Sequence, residues 1–270
     1  MGGEKKRTGD PGAEPPRLER VSHRAFSQAG PEAELARFRR LAPKRLPRRR
    51  SYRHAADKLG KIPDLRKTLR DAAKRDGEVF TLSMRRRKDR QRKIVLLIDV
   101  SGSMKDRTEA ALTFAHTLVQ VAERAEVFTL GTRLTRVTPA LRLKNQERAF
   151  ERVSNLVSDV DGGTRIGEAL AAFLSVPRYA GFARGAAVIV LSDGLERGTP
   201  DTMIDAVRRL SRFAWRLDWL TPLGTDADFT PATNALSAIL PDLDDLTDGS
   251  TTSAIVHHVL SLSSSRRRVA

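Results

Sequence analysis

The stretch KIVLLIDVSGSMKDRT, Lys93 to Thr108, decides the fold: five apolar residues, Ile94 to Ile98, end in an acid, and two serines follow at alternate positions. A continuous apolar run of this length, bounded by polar residues, fits a strand buried on both faces, as in a parallel sheet covered by helices. Asp99, Ser101 and Ser103 then emerge at its carboxyl end, where ligands bind in open α/β sheets. One carboxylate and two hydroxyls make half a site for a hard cation such as Mg²⁺, which takes about six oxygens and keeps some water. Taken alone, the same letters also fit a turn in which Ser and Gly cap the next helix.

Two further segments carry the missing oxygens. DVDGGTRIGEAL, Asp159 to Leu170, places two glycines before Thr164 and a helical run. AAVIVLSDGLERG, Ala186 to Gly198, is a second all-apolar strand that ends in Asp193 and Gly194. Asp99, Ser101, Ser103, Thr164 and Asp193 are therefore expected to converge from three strand-end loops as a metal site. Rival chemistries fit the letters less well. An aspartyl-nucleophile phosphatase needs a second acid where Ser101 stands, no G-x-S-x-G surrounds Ser101 or Ser103, and no G-x-x-x-x-G-K-[ST] phosphate loop occurs. The five histidines show no metal-ligand spacing, and His116 reads as a partly exposed residue of the first helix.

The 270 residues include no cysteine, which removes disulfide and thiolate chemistry and suits a reducing compartment. The longest apolar runs fall far short of the roughly 20 residues that cross a bilayer. MGGEKKRTGD lacks a signal-peptide core, so a cytoplasmic protein with no membrane span is expected. Charge is segregated: residues 1 to 93 hold 29 Lys and Arg against 12 Asp and Glu, and residues 94 to 270 hold 20 against 21.

Three regions follow. Residues 1–55 read as a basic, mostly disordered extension, with a short helix in AELARFRRLA from Ala33, and removal of residues 1–50 is expected to leave a folded domain. Residues 60–92 read as a helix starting at Pro63, with Leu65, Leu69 and Ala72 on one face, then a strand in EVFTLSM and a basic connector, RRRKDRQRK. Residues 93–265 alternate helix and strand: helices in DRTEAALTFAHTLVQVAER, NQERAFERVSNLVSDV and TRIGEALAAFLSV, strands in AEVFTLG and RLDWL, and a final helix in SAIVHHVLSL. That alternation predicts an α/β doubly wound fold. The basic runs invite a nucleic-acid reading, set against the expectation that no aromatic residues interleave with the arginines, and no zinc-finger or RNA-recognition signature occurs. No specific nucleic-acid partner is expected; an acidic protein or an anionic surface suits a basic segment equally. Nothing in the pattern speaks to oligomeric state.

The D-x-S-x-S loop resembles the metal loop of von Willebrand factor A (VWA) domains. VFTLGTRLTRVTPAL, GGTRIGEAL, SDGLERGTPD, WRLDWLTPL and NALSAILPDLDDL narrow the likeness, over residues 60 to 262, to the CoxE-like branch. The resemblance implies a Rossmann-like, mostly parallel central sheet flanked by helices, with a metal-ion-dependent adhesion site for Mg²⁺, or Mn²⁺ or Ca²⁺ in its place. It implies Ser101 and Ser103 as direct ligands, Thr164 as a conditional one, and Asp99 and Asp193 as charge-balancing ligands direct or through water. It also implies a non-enzymatic adaptor: an open position on the ion accepts a carboxylate from a client, and a MoxR-type AAA+ ATPase acts with it, as in maturation of a molybdenum-containing carbon monoxide dehydrogenase. Two positions depart from relatives, Leu195 where Trp is frequent and Thr221 where Asn is frequent. The alternatives are a nucleic-acid- or anionic-surface-associated protein working through the basic third, and a metal-dependent hydrolase whose turnover would need Ser101.

Overall fold

The apolar run of the opening segment is the central strand of the molecule, and every residue from Ile94 to Asp99 is buried. The computed structural model describes residues 30–78, 81–157, 165–196, 200–223 and 233–264. Three strands precede the central one: β1 (Arg48–Ala56), β2 (Ile62–Pro63) and β3 (Met84–Gln91). The main sheet then takes β4 (Ile94–Asp99), β5 (Ala125–Leu130), β6 (Thr135–Arg136), β7 (Ala187–Leu191), β8 (Arg216–Thr221) and β9 (Asp245–Asp248) in the order β6-β5-β4-β7-β8-β9. All neighbours are parallel except β5 and the edge strand β6. The chain goes from β4 to β5 on one side and later returns to lay β7 on the other. The strand order thus reverses beside β4, which opens a crevice at the carboxyl ends of β4 and β7.

Period-two alternation divides β4 between two cores. Ile94, Leu96 and Ile98 face one layer, formed by α1 (Pro31–Arg45), α3 (Lys105–Val121) and α10 (Thr252–Ser261), through Phe38, Phe114, Leu118, Val256 and Val259. Val95 and Leu97 face the other, formed by α6 (Ile166–Ser175) and α8 (Pro200–Phe213), through Leu170, Phe173, Met203 and Val207. The expected doubly wound α/β fold with a mostly parallel sheet is what the chain adopts.

The N-terminal expectation changes. The helix anticipated from Ala33 runs from Pro31 to Arg45, and Leu35, Phe38 and Ala42 along its inner face are buried. Phe38 meets Phe114 edge-on, with ring centroids 5.1 Å apart. The i, i+3, i+7 stripe is sparse among arginines, so mean composition suggests disorder while the face itself packs. Residues 31–56 are therefore helix and strand rather than part of a disordered extension.

The basic connector also changes. RRRKDRQ belongs to β3, which pairs antiparallel with β1 and β2 in a second, three-stranded sheet. Of the expected strand EVFTLSM, Val79 and Phe80 lie outside the described residues, and only Met84 is in a strand. A ladder needs backbone partners, not apolar side chains, and here most side chains point to water. Pro63 ends β2, and the next helix, α2 (Leu65–Ala73), begins after Asp64, whose side chain accepts from the Lys67 amide at 3.2 Å. Its Leu65 and Leu69 are exposed, and Thr68 and Ala72 are the buried positions.

Buried polar groups hold the far side of the sheet. Arg216 Nε lies 2.8 and 2.7 Å from the two Asp218 carboxylate oxygens, and His258 Nε2 lies 2.8 Å from Asp218 Oδ2. Arg216 also reaches Asp245 at 3.3 Å, so the cluster joins β8, β9 and α10. His116 is buried too, with Nε2 2.8 Å from the Leu143 carbonyl oxygen, which replaces the partly exposed role expected for it.

In urea titrations Phe38→Ala is expected to cost about 3–5 kcal/mol, the range for a fully buried aromatic, and removal of residues 1–50 is expected to abolish cooperative melting; a loss below about 1 kcal/mol for Phe38→Ala would place α1 outside the core. Asp218→Ala leaves Arg216 buried without its closest carboxylate and is expected to cost about 3–5 kcal/mol.

Candidate metal centre

β4 delivers Asp99 to the switch point, and a short turn at Gly102–Met104 carries the two serines across its mouth before α3 starts. Asp99 is fully buried. Its Oδ1 accepts from the Ser101 amide at 2.9 Å and its Oδ2 accepts from Ser192 Oγ at 2.7 Å. Ser101 and Ser103 place their hydroxyl oxygens 3.0 Å apart, and Ser103 Oγ donates to Asp193 Oδ2 at 2.6 Å. Four of the five residues expected from the sequence therefore share one site. The fifth, Thr164, lies outside the described residues.

The loop after β7 is held from several sides. Asp193 Oδ1 accepts from the Leu195 amide at 2.9 Å, Gly194 donates to Ser192 Oγ at 3.0 Å, and Trp219 Nε1 donates to the Ser192 carbonyl at 3.0 Å. Gly194 has φ +75°, a conformation that costs glycine little, and a Cβ there would also press on Leu236 at 3.2 Å. Glu196 Oε2 accepts from the Gly167 amide at 2.6 Å and so ties this loop to the first turn of α6. Gly167 is needed there because a Cβ would lie 2.6 Å from the Met203 backbone nitrogen of α8.

The donor set suits a small hard cation. With metal–oxygen distances of 2.0–2.1 Å, adjacent oxygens of an octahedron stand about 3 Å apart, which is the separation of the two serine hydroxyls. Ser103 is exposed and Asp99 is buried, so such an ion would be gripped from below and open above. Burial pushes the Asp99 carboxyl above its usual range, and nearby Asp193 adds to that, while the hydrogen bonds from Ser192 and the Ser101 amide oppose it. A cation among these oxygens would favour the charged carboxylate. Among the described residues no group of three or more His, Cys, Asp or Glu gathers as a metal site, and this cluster has two carboxylates with two hydroxyls. Among the same residues no helix is long and apolar enough to cross a membrane.

Ser192 was not anticipated as part of the site. Its position beside Asp193 at a strand end is the signal, but only the fold shows that its hydroxyl turns to Asp99. Of the two positions that depart from relatives, Leu195 is exposed on the rim next to Asp193, and Thr221 is buried, its Oγ1 accepting from the Leu223 amide at 3.2 Å.

Residues 35–255 match the family described as VWA domain containing CoxE-like protein. No match is found among curated proteins. Solved structures with similar folds include proximal thread matrix protein 1 from the mussel byssus, at 19% identity and TM-score 0.46, covering 64% of this chain and 48% of that one. The same mussel protein with a zinc-occupied MIDAS motif matches at 17% identity and TM-score 0.45, covering 64% and 48%. An aerotolerance-related membrane protein from Bacteroides fragilis matches at 18% identity and TM-score 0.39, covering 63% and 98%. The chain thus spans about half the length of the mussel protein.

The raised Asp99 pKa has a signed consequence for the chelated protein. The folded state holds this proton more tightly than the unfolded chain, so stability falls as pH rises from the ordinary carboxylate range through the raised folded value. Asp99→Asn removes that dependence, since its amide can donate to Ser192 and its oxygen can accept from the Ser101 amide. In EDTA the variant is expected to melt above the parent at neutral pH, with the gap closing as pH falls; a gap independent of pH would contradict the burial effect.

Proposed function

Because the chain belongs to the family of VWA-domain CoxE-like proteins, we propose that it is a non-enzymatic adaptor in which a divalent cation, Mg²⁺ in the cell, links Asp99, Ser101, Ser103 and Asp193 to a carboxylate of a partner protein. The observation that carries this is the hydroxyl–carboxylate cluster at the switch point, open to solvent at Ser103. Neutral serine hydroxyls leave most of the ion's positive charge unspent, which favours capture of an anionic side chain over activation of a water. Thr164, two residues before α6 in the sequence, is proposed as a further ligand when the partner docks. Exposed Leu195 would border the docking face and bias which partner fits.

The partners proposed are a MoxR-type AAA+ ATPase, which supplies mechanical work, and a client enzyme whose metal centre is being assembled, such as a molybdenum hydroxylase. The adaptor would select the client and the ATPase would remodel it. A cytoplasmic setting fits such a division of labour.

The protein should bind Mn²⁺ in place of Mg²⁺, read by electron paramagnetic resonance, and Ser103→Ala should weaken that binding at least tenfold without lowering the melting temperature. In pull-down with a MoxR-type ATPase from the same organism, capture should be lost with Asp99→Ala, with Ser103→Ala and with EDTA. Unchanged capture by Ser103→Ala, or capture that survives chelation, would sink the metal-bridge reading.

A further inference from the structure

The second sheet is absorbed by none of this. β1 and β3 together carry nine Lys and Arg against one acid, Asp89. Arg48 to Arg50 on one strand and Arg86 to Arg90 on the other are exposed, so the ribbon stands with its middle in solvent. Arg49 is directly opposite Arg90 in the ladder. Like charges facing each other across a ribbon are destabilising, and a strand pair with little buried surface is marginal in water. Arg48 pairs with Glu123 at 3.5 Å and Arg86 with Asp57 at 2.6 Å, whereas the facing Arg49 and Arg90 repel each other at a cost to the ribbon.

The cations continue onto the body of the domain. Arg124 is held below its usual proton affinity by burial and then by Arg90 and Arg49, and Lys93 is lowered by burial and then by Arg124, Arg49 and Arg184. A zone of positive potential of this kind draws in anions. On the other side of the ribbon Arg50, Lys61, Arg85 and Arg87 line a concavity of about 450 Å³, which also contains Asp89. Gly60 shapes its floor, since a Cβ there would lie 2.5 Å from the Arg85 carbonyl carbon.

An aromatic side chain completes the surface. Tyr52, between Arg50 and Arg53, stands 86% exposed where the register of β1 shifts, and the Arg87 guanidinium lies 5.9 Å from its ring centre. A phenol ring so exposed contributes nothing to a core. Beside a row of cations it offers a flat face on which a base stacks while the cations follow the phosphates, the combination that binds single strands without reading their sequence. An acidic protein would match the arginines equally but would have no use for the ring.

We propose that the β1–β3 ribbon binds single-stranded nucleic acid independently of sequence, with Arg50, Arg87 and Lys61 on phosphates and Tyr52 under a base. The metal site takes no part.

The test is fluorescence anisotropy of a labelled oligouridylate with the full chain. If about four phosphates are neutralised, affinity falls about 50-fold between roughly 50 and 200 mM salt, from a log–log slope near −0.7 per phosphate. Arg50→Gln with Arg87→Gln is expected to weaken binding tenfold or more, and Tyr52→Ala about tenfold; both changes are on exposed positions and are checked by unchanged melting. EDTA and Ser103→Ala should leave binding untouched, which separates this surface from the adaptor site. Equal affinity for polyglutamate together with no effect of Tyr52→Ala would overturn the proposal in favour of an acidic protein, and binding that ignores salt or the arginine substitutions would overturn it outright.

Discussion

A carboxylate taken out of water at the end of a central strand is costly unless something holds it, and Asp99 is such a group. Its two oxygens are held by a backbone amide of its own loop and by the hydroxyl of Ser192 from the neighbouring strand. That pair of bonds joins β4 to β7 at the point where the sheet reverses its order. It also aligns the two loops whose remaining oxygens form a hydrogen-bonded chain from Ser101 through Ser103 to Asp193. Burial resists ionisation of Asp99, and a cation in the site would restore it. The fold and the metal reading therefore meet in one carboxyl group.

Much of this was legible in the letters because burial on both faces leaves a distinctive trace. Ile94–Ile98 and Ala186–Leu191 have no polar interruption, and the acids that end them fall where parallel strands present ligands. Ser192 was not legible: its hydroxyl matters through a contact with Asp99, 93 positions away. Arg216, Asp218 and His258 were hidden for the same reason, since each looks like an ordinary surface residue until β8 and α10 are packed. The N-terminal helix misled differently. Three apolar side chains per two turns suffice to dock Pro31–Arg45, and average composition is blind to where they point. β3 reads as a connector in the sequence because seven of its eight residues are polar, yet its ladder to β1 is made by backbone groups alone.

The two surfaces of the molecule differ in charge and in chemistry. From Ile94 onward the chain is nearly balanced, with 20 cationic side chains against 21 acidic, and it presents a compact oxygen cluster suited to one metal ion. The ribbon presents spread cations, of which Arg48 and Arg86 pair with Glu123 and Asp57, and one exposed ring. The first suits a single, geometrically defined partner carboxylate. The second suits a flexible polyanion whose contacts are many and individually weak.

The proposed docking needs a divalent cation among the oxygens of Asp99, Ser101, Ser103 and Asp193. Anomalous diffraction from crystals grown with Mn²⁺ tests it most directly. One strong peak is expected at the carboxyl end of β4, roughly 2.1–2.3 Å from both serine hydroxyl oxygens, within the range for hard cations. A peak elsewhere, or none at this site with Mn²⁺ in excess, would contradict it.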